Sequence, residues 1–303
     1  CLGFSVKQSL CTITSNVEIS PGVNLMWIEA SDIAFVAQPG QFITVRCKDL
    51  ILRRPFSIHQ VSPVSSPPVG GEASPERSEG TGEGEIAILF KVVGEGTLWL
   101  SQRQRGDEID ILGPLGEGFS IEPNSGNLLL VAGGLGIAPL IFLMQRASSQ
   151  HQVILIHGVS TAAQFYPFSP LPLIPIPSPL KGEGQKRSNL ASLPSGVQLI
   201  PVTADGTMGE KGMATDILPD FLDWADQVYA CGPVEMYKAM AEQVAILNEA
   251  KNLKCQVSLE VRLGCGIGAC YGCTINTKKG LRQVCRDGPI FELDDIIWEE
   301  VRI

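Results

Sequence analysis

Four cysteines near the end of the chain constrain it more than any other feature. Cys265, Cys270 and Cys273 stand in a C-x4-C-x2-C run, and Cys285 follows twelve residues after Cys273. One tight loop closed by a distant fourth thiolate is the ligand pattern of a plant-type 2Fe-2S cluster, in which two irons are wrapped together. Gly266, Gly268 and Gly272 lie between the thiols. Such a loop needs left-handed backbone angles and close approach, which glycine adopts at low cost. Its amides can then point at sulfur and tune the potential. A structural zinc site also takes four cysteines, but it usually pairs two C-x2-C knuckles, and only one pair here has that spacing.

The other residues bound what surrounds this loop. A chain of 303 residues suggests two or three domains at roughly 150 residues each. A hydrophobic fraction of 44% is ample for packed cores, and a net charge of -9 argues against a nucleic-acid surface. The chain shows no run of about 18 apolar residues and no charged-then-apolar leader, which points to a cytoplasmic protein without a membrane span. Nine cysteines with four clustered fit a reducing compartment, where thiols serve metals. Of the other five, Cys1, Cys11, Cys47, Cys231 and Cys255, four read as small apolar fillers.

Up to about Gly118, short β-rich segments at 41–47, 54–61 and 85–93 alternate with turn residues, the spacing of a small antiparallel barrel. Arg53-Arg54-Pro55-Phe56-Ser57-Ile58 puts a cation, an aromatic ring and a hydroxyl on one strand, three things a flavin needs. Alone, the same residues also describe a solvated charge beside a core ring. Between about 62 and 84 the composition turns to Ser, Pro, Gly and Glu, too polar to offset chain entropy, and reads as a disordered insertion between neighbouring strands. Val93-Gly94-Glu95-Gly96-Thr97 then leads into helical spacing at 98–104, either an anion site at a helix start or an ordinary turn with Thr97 near the cap. Gly113-Pro114-Leu115-Gly116 marks the edge of this first domain.

A buried-type strand at 127–132 runs straight into Gly133-Gly134-Leu135-Gly136-Ile137-Ala138-Pro139 and an apolar helix. Strand, glycine turn and helix form the arrangement that seats a dinucleotide pyrophosphate, although this is not the G-x-G-x-x-G fingerprint. Strands at 152–159, 197–202 and 227–231 and helices at 213–224 and 234–250 continue a parallel α/β sheet. Two strand ends offer ligand groups at its carboxyl edge, one around Asp205 and the other at Cys231-Gly232-Pro233. A proline-rich stretch at about 166–189 reads as a second insertion of polyproline character. The last fifty residues hold a strand at 256–263, the cysteine loop and a hairpin at 274–284. They are too few for a robust core unless bound metal helps.

Taken in order, Arg-Pro-Phe-Ser, Gly-Glu-Gly-Thr, Gly-Pro-Leu-Gly, Gly-Gly-Leu-Gly-Ile-Ala-Pro, Asp-Gly-Thr-Met-Gly, Cys-Gly-Pro and the cysteine loop resemble the ferredoxin-reductase superfamily. The resemblance is greatest to the electron-transfer subunits of NAD-dependent dihydroorotate dehydrogenases, carried above all by 258–270 and 284–291. It implies an antiparallel FAD-binding β-barrel at 1–122, a parallel α/β nucleotide-binding domain at 123–250 and a small 2Fe-2S domain at 251–303. It further implies FAD on Arg54, Pro55, Phe56 and Ser57, on Leu89, Phe90 and Lys91, and on Gly96 and Thr97. NAD would meet Gly133, Gly134, Gly136, Cys231, Gly232 and Pro233, with Asp205 nearer a ribose, and the cluster would sit on Cys265, Cys270, Cys273 and Cys285. The family's catalytic partner carries FMN and oxidises dihydroorotate, so electrons would pass from FMN through the cluster and FAD to NAD in a heterotetramer of two of each chain. No base for the pyrimidine is found in this chain. Reductase subunits of hydrogenases, sulfite reductase and ferredoxin-linked NAD(P) transhydrogenases share the modules and form the alternative. Phe56 departs from the tyrosine that many relatives in the wider superfamily carry.

Overall fold

The computed structural model describes residues 6–62, 84–168, 193–194, 196–248 and 251–301. Six antiparallel strands close a barrel: β1 (Lys7–Ser20), β2 (Val23–Glu29), β3 (Phe42–Val45), β4 (Arg54–Val61), β5 (Glu85–Lys91) and β6 (Glu108–Leu115), in the order β1-β2-β5-β4-β3-β6. Helices α1 (Ser31–Val36) and α2 (Glu95–Ser101) fill two of the connections. The period of two sorts each strand. On β5, Ile86, Ile88 and Phe90 join Ile13, Met26, Ile58 and Ile111 in the barrel core, whereas Ala87 and Leu89 face the core of the second unit.

That unit is a seven-stranded sheet. Its strands are β7 (Asn127–Gly133), β8 (Gln152–Val159), β9 (Val197–Thr203), β10 (Glu210–Lys211), β11 (Gln227–Cys231) and β12 (Lys254–Ser258). After the separate hairpin of β13 (Thr274–Thr277) and β14 (Gly280–Gln283), β15 (Ile290–Glu292) completes it in the order β10-β9-β8-β7-β11-β12-β15. All neighbours are parallel except β15, which runs antiparallel to β12. A parallel sheet needs cover on both faces. Leu128, Leu130 and Ala132 pack with α3 (Ile137–Ala147), while Leu129 and Val131 pack with α4 (Ala214–Ile217), α5 (Pro219–Leu222) and α6 (Val234–Asn248). A last short helix, α7 (Val284–Asp287), carries Cys285.

Several expectations change. The helix expected over 213–224 is two short helices, because Pro219 has no N–H to continue the ladder; the Gln243 side chain instead donates to Thr215 O at 2.9 Å. Helix α2 starts at Glu95, three residues early, because the Thr97 hydroxyl accepts the amides of Val93 and Gly94 at 2.9 and 3.1 Å and closes the turn. The strand expected over 256–263 ends at Ser258, where the chain leaves the sheet. Tyr166 and Phe168, placed in the second insertion, are buried at 3% and 2% exposure and belong to the core. The rest of that insertion, from 169 on, and all of the first between Ser62 and Gly84 lie outside the described residues.

The last fifty residues do not stand alone. Strands β12 and β15 extend the sheet, and Leu259, Cys273, Val284, Cys285 and Trp298 share one core with Leu129, Tyr237 and Met240. Cys11, Cys47, Cys231 and Cys255 are buried free thiols among apolar neighbours. No helix among the described residues is long and apolar enough to cross a membrane.

Candidate functional site

Where barrel, sheet and cysteine segment meet, a cavity of about 460 Å³ opens. Its barrel wall is Arg54, Pro55, Phe56 and Ser57 of β4, Leu89, Phe90 and Lys91 of β5, and Thr97 of α2. The facing wall is Leu135 and Ala138 from the glycine turn and α3, the segment from Ser258 to Val261, and Val284 and Pro289. The Phe56 ring is tilted 56° against Phe90 at 5.6 Å, which leaves an apolar, aromatic surface beside the Ser57 hydroxyl.

The two adjacent arginines part company at the start of β4, Arg53 just before the strand and Arg54 its first residue. Arg53 is spent outside the cavity, donating to the Asp110 carboxylate at 2.6 Å and to its carbonyl at 3.1 Å. Arg54 turns inward and donates to Leu52 O at 2.7 Å. A Cβ on Gly96 would stand 3.1 Å from Arg54 Nε, so glycine there lets the guanidinium lie against the start of α2. Thr97 offers less than its place in the sequence suggests. Its hydroxyl donates to Gly94 O at 3.0 Å and already holds two amides, so it braces the helix start.

At the carboxyl edge of the sheet, Gly133, Gly134, Gly136, Cys231, Gly232 and Pro233 do come together. A Cβ on Gly136 would lie 2.0 Å from Cys231 O, and one on Gly133 would lie 2.7 Å from Pro233 Cδ. Glycine is what allows the β7 turn to touch the end of β11. Tyr237 ties this corner to the cavity wall, accepting the Gly232 amide at 2.9 Å and donating to Ser258 O at 2.6 Å. Asp205 stands on the same edge but two strands away, after β9. Its carboxylate accepts the Thr207 hydroxyl at 2.6 Å and the Thr207 amide at 3.0 Å, bonds that hold its pKa below the ordinary range.

The four loop cysteines fall into two neighbouring pairs: Cys273 and Cys285, whose Sγ atoms lie 3.3 Å apart, and Cys265 and Cys270, where the Cys270 amide reaches the Cys265 sulfur. Backbone amides aim at the sulfurs: Gly268 N–H at Cys285 (3.2 Å), Ala269 and Cys270 N–H at Cys265 (3.3 and 3.4 Å), and Gly272 N–H at Cys270 (3.4 Å). The φ angles of 76° at Gly266 and 80° at Gly268 bend the loop this way. Burial works to raise the Cys265 thiol, yet the amides of Ile267, Cys270 and Ala269 together outweigh it and bring it down to about 7. Burial and the Cys273 thiol push Cys285 up to about 12. Among the described residues no three His, Cys, Asp or Glu side chains converge as they would round one ion. The sulfurs instead form two pairs, an arrangement that suits two metals better than one.

Three residues at or behind this site were given no role of their own in the sequence. Glu260 lines the cavity, and desolvation by the protein around it raises its carboxyl above the usual range. His59 and His157, two of only three histidines, are fully buried behind the glycine turn, and their rarity in apolar strands was the one available signal.

Such an antiparallel barrel joined to a parallel sheet, with the cavity at their junction, is the ferredoxin-reductase fold. A ferredoxin NADP+ reductase from Neisseria gonorrhoeae, solved with bound FAD and NADP, shares it at a TM-score of 0.59, with 15% identity over 84% of this chain and 99% of that one. The solved structure of an NADH-dependent reduced ferredoxin-NADP oxidoreductase, described for flavin-based electron bifurcation, aligns at a TM-score of 0.70 and 26% identity, covering 96% of this chain and 91% of that chain. The family described as the iron-sulfur cluster binding domain of dihydroorotate dehydrogenase B matches residues 260–297. The dihydroorotate dehydrogenase B (NAD(+)) electron transfer subunit of Desulforamulus reducens is 32% identical, over 93% of this chain and 95% of its own. The chain belongs to the family of dihydroorotate dehydrogenase B electron transfer subunits.

Proposed function

We propose that the chain is the electron-transfer flavoprotein subunit of an NAD-dependent dihydroorotate dehydrogenase, holding FAD in the cavity and a 2Fe-2S cluster on Cys265, Cys270, Cys273 and Cys285. One observation carries the reading: the two sites share a wall. Val284 lines the cavity and the next residue, Cys285, belongs to the sulfur nest; Leu263 lines it two residues before Cys265. When bound, the cluster and the flavin supply one-electron and two-electron carriage between the FMN of the catalytic subunit and NAD.

The chain's own residues bind and orient. Arg54 meets the flavin pyrophosphate, and a charge-assisted bond of this kind is worth roughly 1.5–3 kcal/mol. Phe56, backed by Phe90 from the barrel core, and Pro55 would give the ring system an apolar surface, and Ser57 would offer a hydroxyl to its polar edge. Leu89 and Lys91 line the adjoining strand, and Gly96 gives the phosphate room beside Arg54. The amides at the four sulfurs stabilise thiolate, the form that ligates iron. Gly133, Gly134, Gly136, Cys231, Gly232 and Pro233 form the nicotinamide end of the nucleotide site. Asp205 stands nearer the ribose. No cation occurs among 159–164 beyond the end of β8. Lys211 packs its methylenes across Gly206, beyond the end of β9 and not of β8. NAD is therefore preferred over NADP.

The catalytic partner carries FMN and does the pyrimidine chemistry; two copies of each chain assemble in the cytoplasm. The subunit names of the relatives support a partner of this kind. The test is an anaerobic spectrum of the protein co-expressed with a catalytic subunit. Dihydroorotate should bleach flavin and iron-sulfur bands together, and NADH should give a far higher kcat/KM than NADPH with an artificial acceptor. Bleaching by reduced ferredoxin but not by dihydroorotate would favour the ferredoxin-linked reading, which the 26% identical oxidoreductase structure keeps in view.

A further inference from the structure

The glycine turn at the end of β7 is backed by two buried histidines that do different work. His59 is fully satisfied: it donates Nδ1–H to Ala138 O at 2.9 Å, and its Nε2 accepts the Tyr166 hydroxyl at 3.0 Å. Among the described residues His157, on β8, makes one hydrogen bond, from Nε2 to Gly134 O at 3.0 Å. A carbonyl can only accept, so Nε2 carries the proton and Nδ1 is left as a bare acceptor. Among the described residues that buried nitrogen has no partner. Its ring packs on Phe165 with centroids 4.6 Å apart, so an aromatic hydrocarbon would fill the same space. An unmet buried acceptor is unfavourable, and packing alone does not explain why a histidine stands there.

The bond itself has a consequence for the turn. Gly134 O also accepts the Ile137 amide, so both its lone pairs are occupied and its direction is set. In a trans peptide the C=O and the following N–H point opposite ways. With Gly134 O drawn inward, Leu135 N–H faces outward, and Gly134 and Leu135 are the exposed residues of the turn, Leu135 also lining the cavity. The first amides of a helical turn have no partner within it. We propose that His157 is a positioning residue for the nucleotide: its Nε2–H holds the Gly134–Leu135 peptide so that the Leu135 amide is presented to NAD. This rests on the assignment of that turn to NAD.

The test is calorimetric titration of NAD into the flavin- and cluster-loaded protein. His157→Phe keeps the ring and loses the donor; affinity should fall about tenfold, the equivalent of ~1.4 kcal/mol, with flavin and iron content unchanged. His157→Gln, whose amide reaches about as far as Nε2, should return affinity to within about threefold of wild type, in line with one neutral hydrogen bond regained. Wild-type affinity in His157→Phe overturns the proposal, and so does a His157→Gln as weak as His157→Phe, which would reduce the role to packing. Should His157→Phe fail to accumulate, His157→Asn replaces it, because its shorter amide sits near Nδ1 and misses the carbonyl. Asn weaker than Gln supports the proposal, and equal affinities overturn it. A wild-type protein that takes up no NAD sinks the nucleotide assignment itself, an outcome distinct from either.

Discussion

The sulfur nest and the cavity share a wall but are built by opposite means. All four thiols of the nest come from one stretch between Cys265 and Cys285, supported locally by a two-stranded hairpin and a four-residue helix. The cavity draws its walls from Phe42 to Pro289, on barrel strands, a sheet turn and the cysteine segment. A local site with little regular structure leans on its metal, since ligand binding there is also folding energy. A site assembled from distant strands leans on the fold and should outlast the loss of its ligand. The two should therefore fail separately.

The strongest break is Cys273→Ser. It should abolish the iron-sulfur absorption and bound iron while FAD content stays near one per chain. Parallel loss of FAD would show that the two sites stand or fall together.

Acid comes next. His59 and His157 are each pushed down to about 4 by burial, with the backbone bonds to Ala138 and Gly134 opposing that shift only in part. An unfolded chain takes up those protons near pH 6.5. Stability is thus full above pH 6.5 and drains between there and about 4, by on the order of 3 kcal/mol for each histidine. Urea midpoints measured across that window should fall steeply, and more steeply in wild type than in a His59→Gln variant.

Gly136→Ala tests the sheet edge. Its Cβ would lie 2.0 Å from Cys231 O, so backbone must move, at a cost of about 2–3 kcal/mol. The melting temperature and NAD affinity should drop together while the cluster spectrum is untouched; an unaltered melting temperature would mean that the turn can yield.

Arg54→Ala sharpens the cavity. Loss of one charge-assisted bond should weaken FAD retention roughly ten- to a hundredfold, read by equilibrium dialysis, and Arg53→Ala should weaken it less because Arg53 is paired with Asp110. The smallest effect is expected from deleting 65–82. Strands β4 and β5 already pair at Val61 and Ile86, and the Ser62 amide donates to Glu85 O at 2.9 Å, so the strands on either side of the cut are held together without it. A melting temperature lowered by more than a few degrees would assign that stretch a structural part.

Patterns repeated along the chain carried their own meaning. Cysteine spacing announced the nest, short β-rich segments between turn residues announced the barrel, apolar strands alternating with helices announced the sheet, and close-set glycines announced the turn that touches β11. Each is a local rule of backbone geometry, readable without knowing what lies opposite. What lies opposite was decided only by the tertiary structure. It sent Arg54 into the cavity and spent Arg53 on Asp110, committed the Thr97 hydroxyl to its own helix, and drew Tyr166 out of a proline-rich stretch to meet His59. It also brought Glu260 and Leu135 to one wall and joined His157 to the Gly134 carbonyl. Periodicity names the face on which a side chain lies, but hydrogen-bond partners and cavity walls also come from segments distant along the chain, such as His59 and Tyr166, and only the packed chain brings those together.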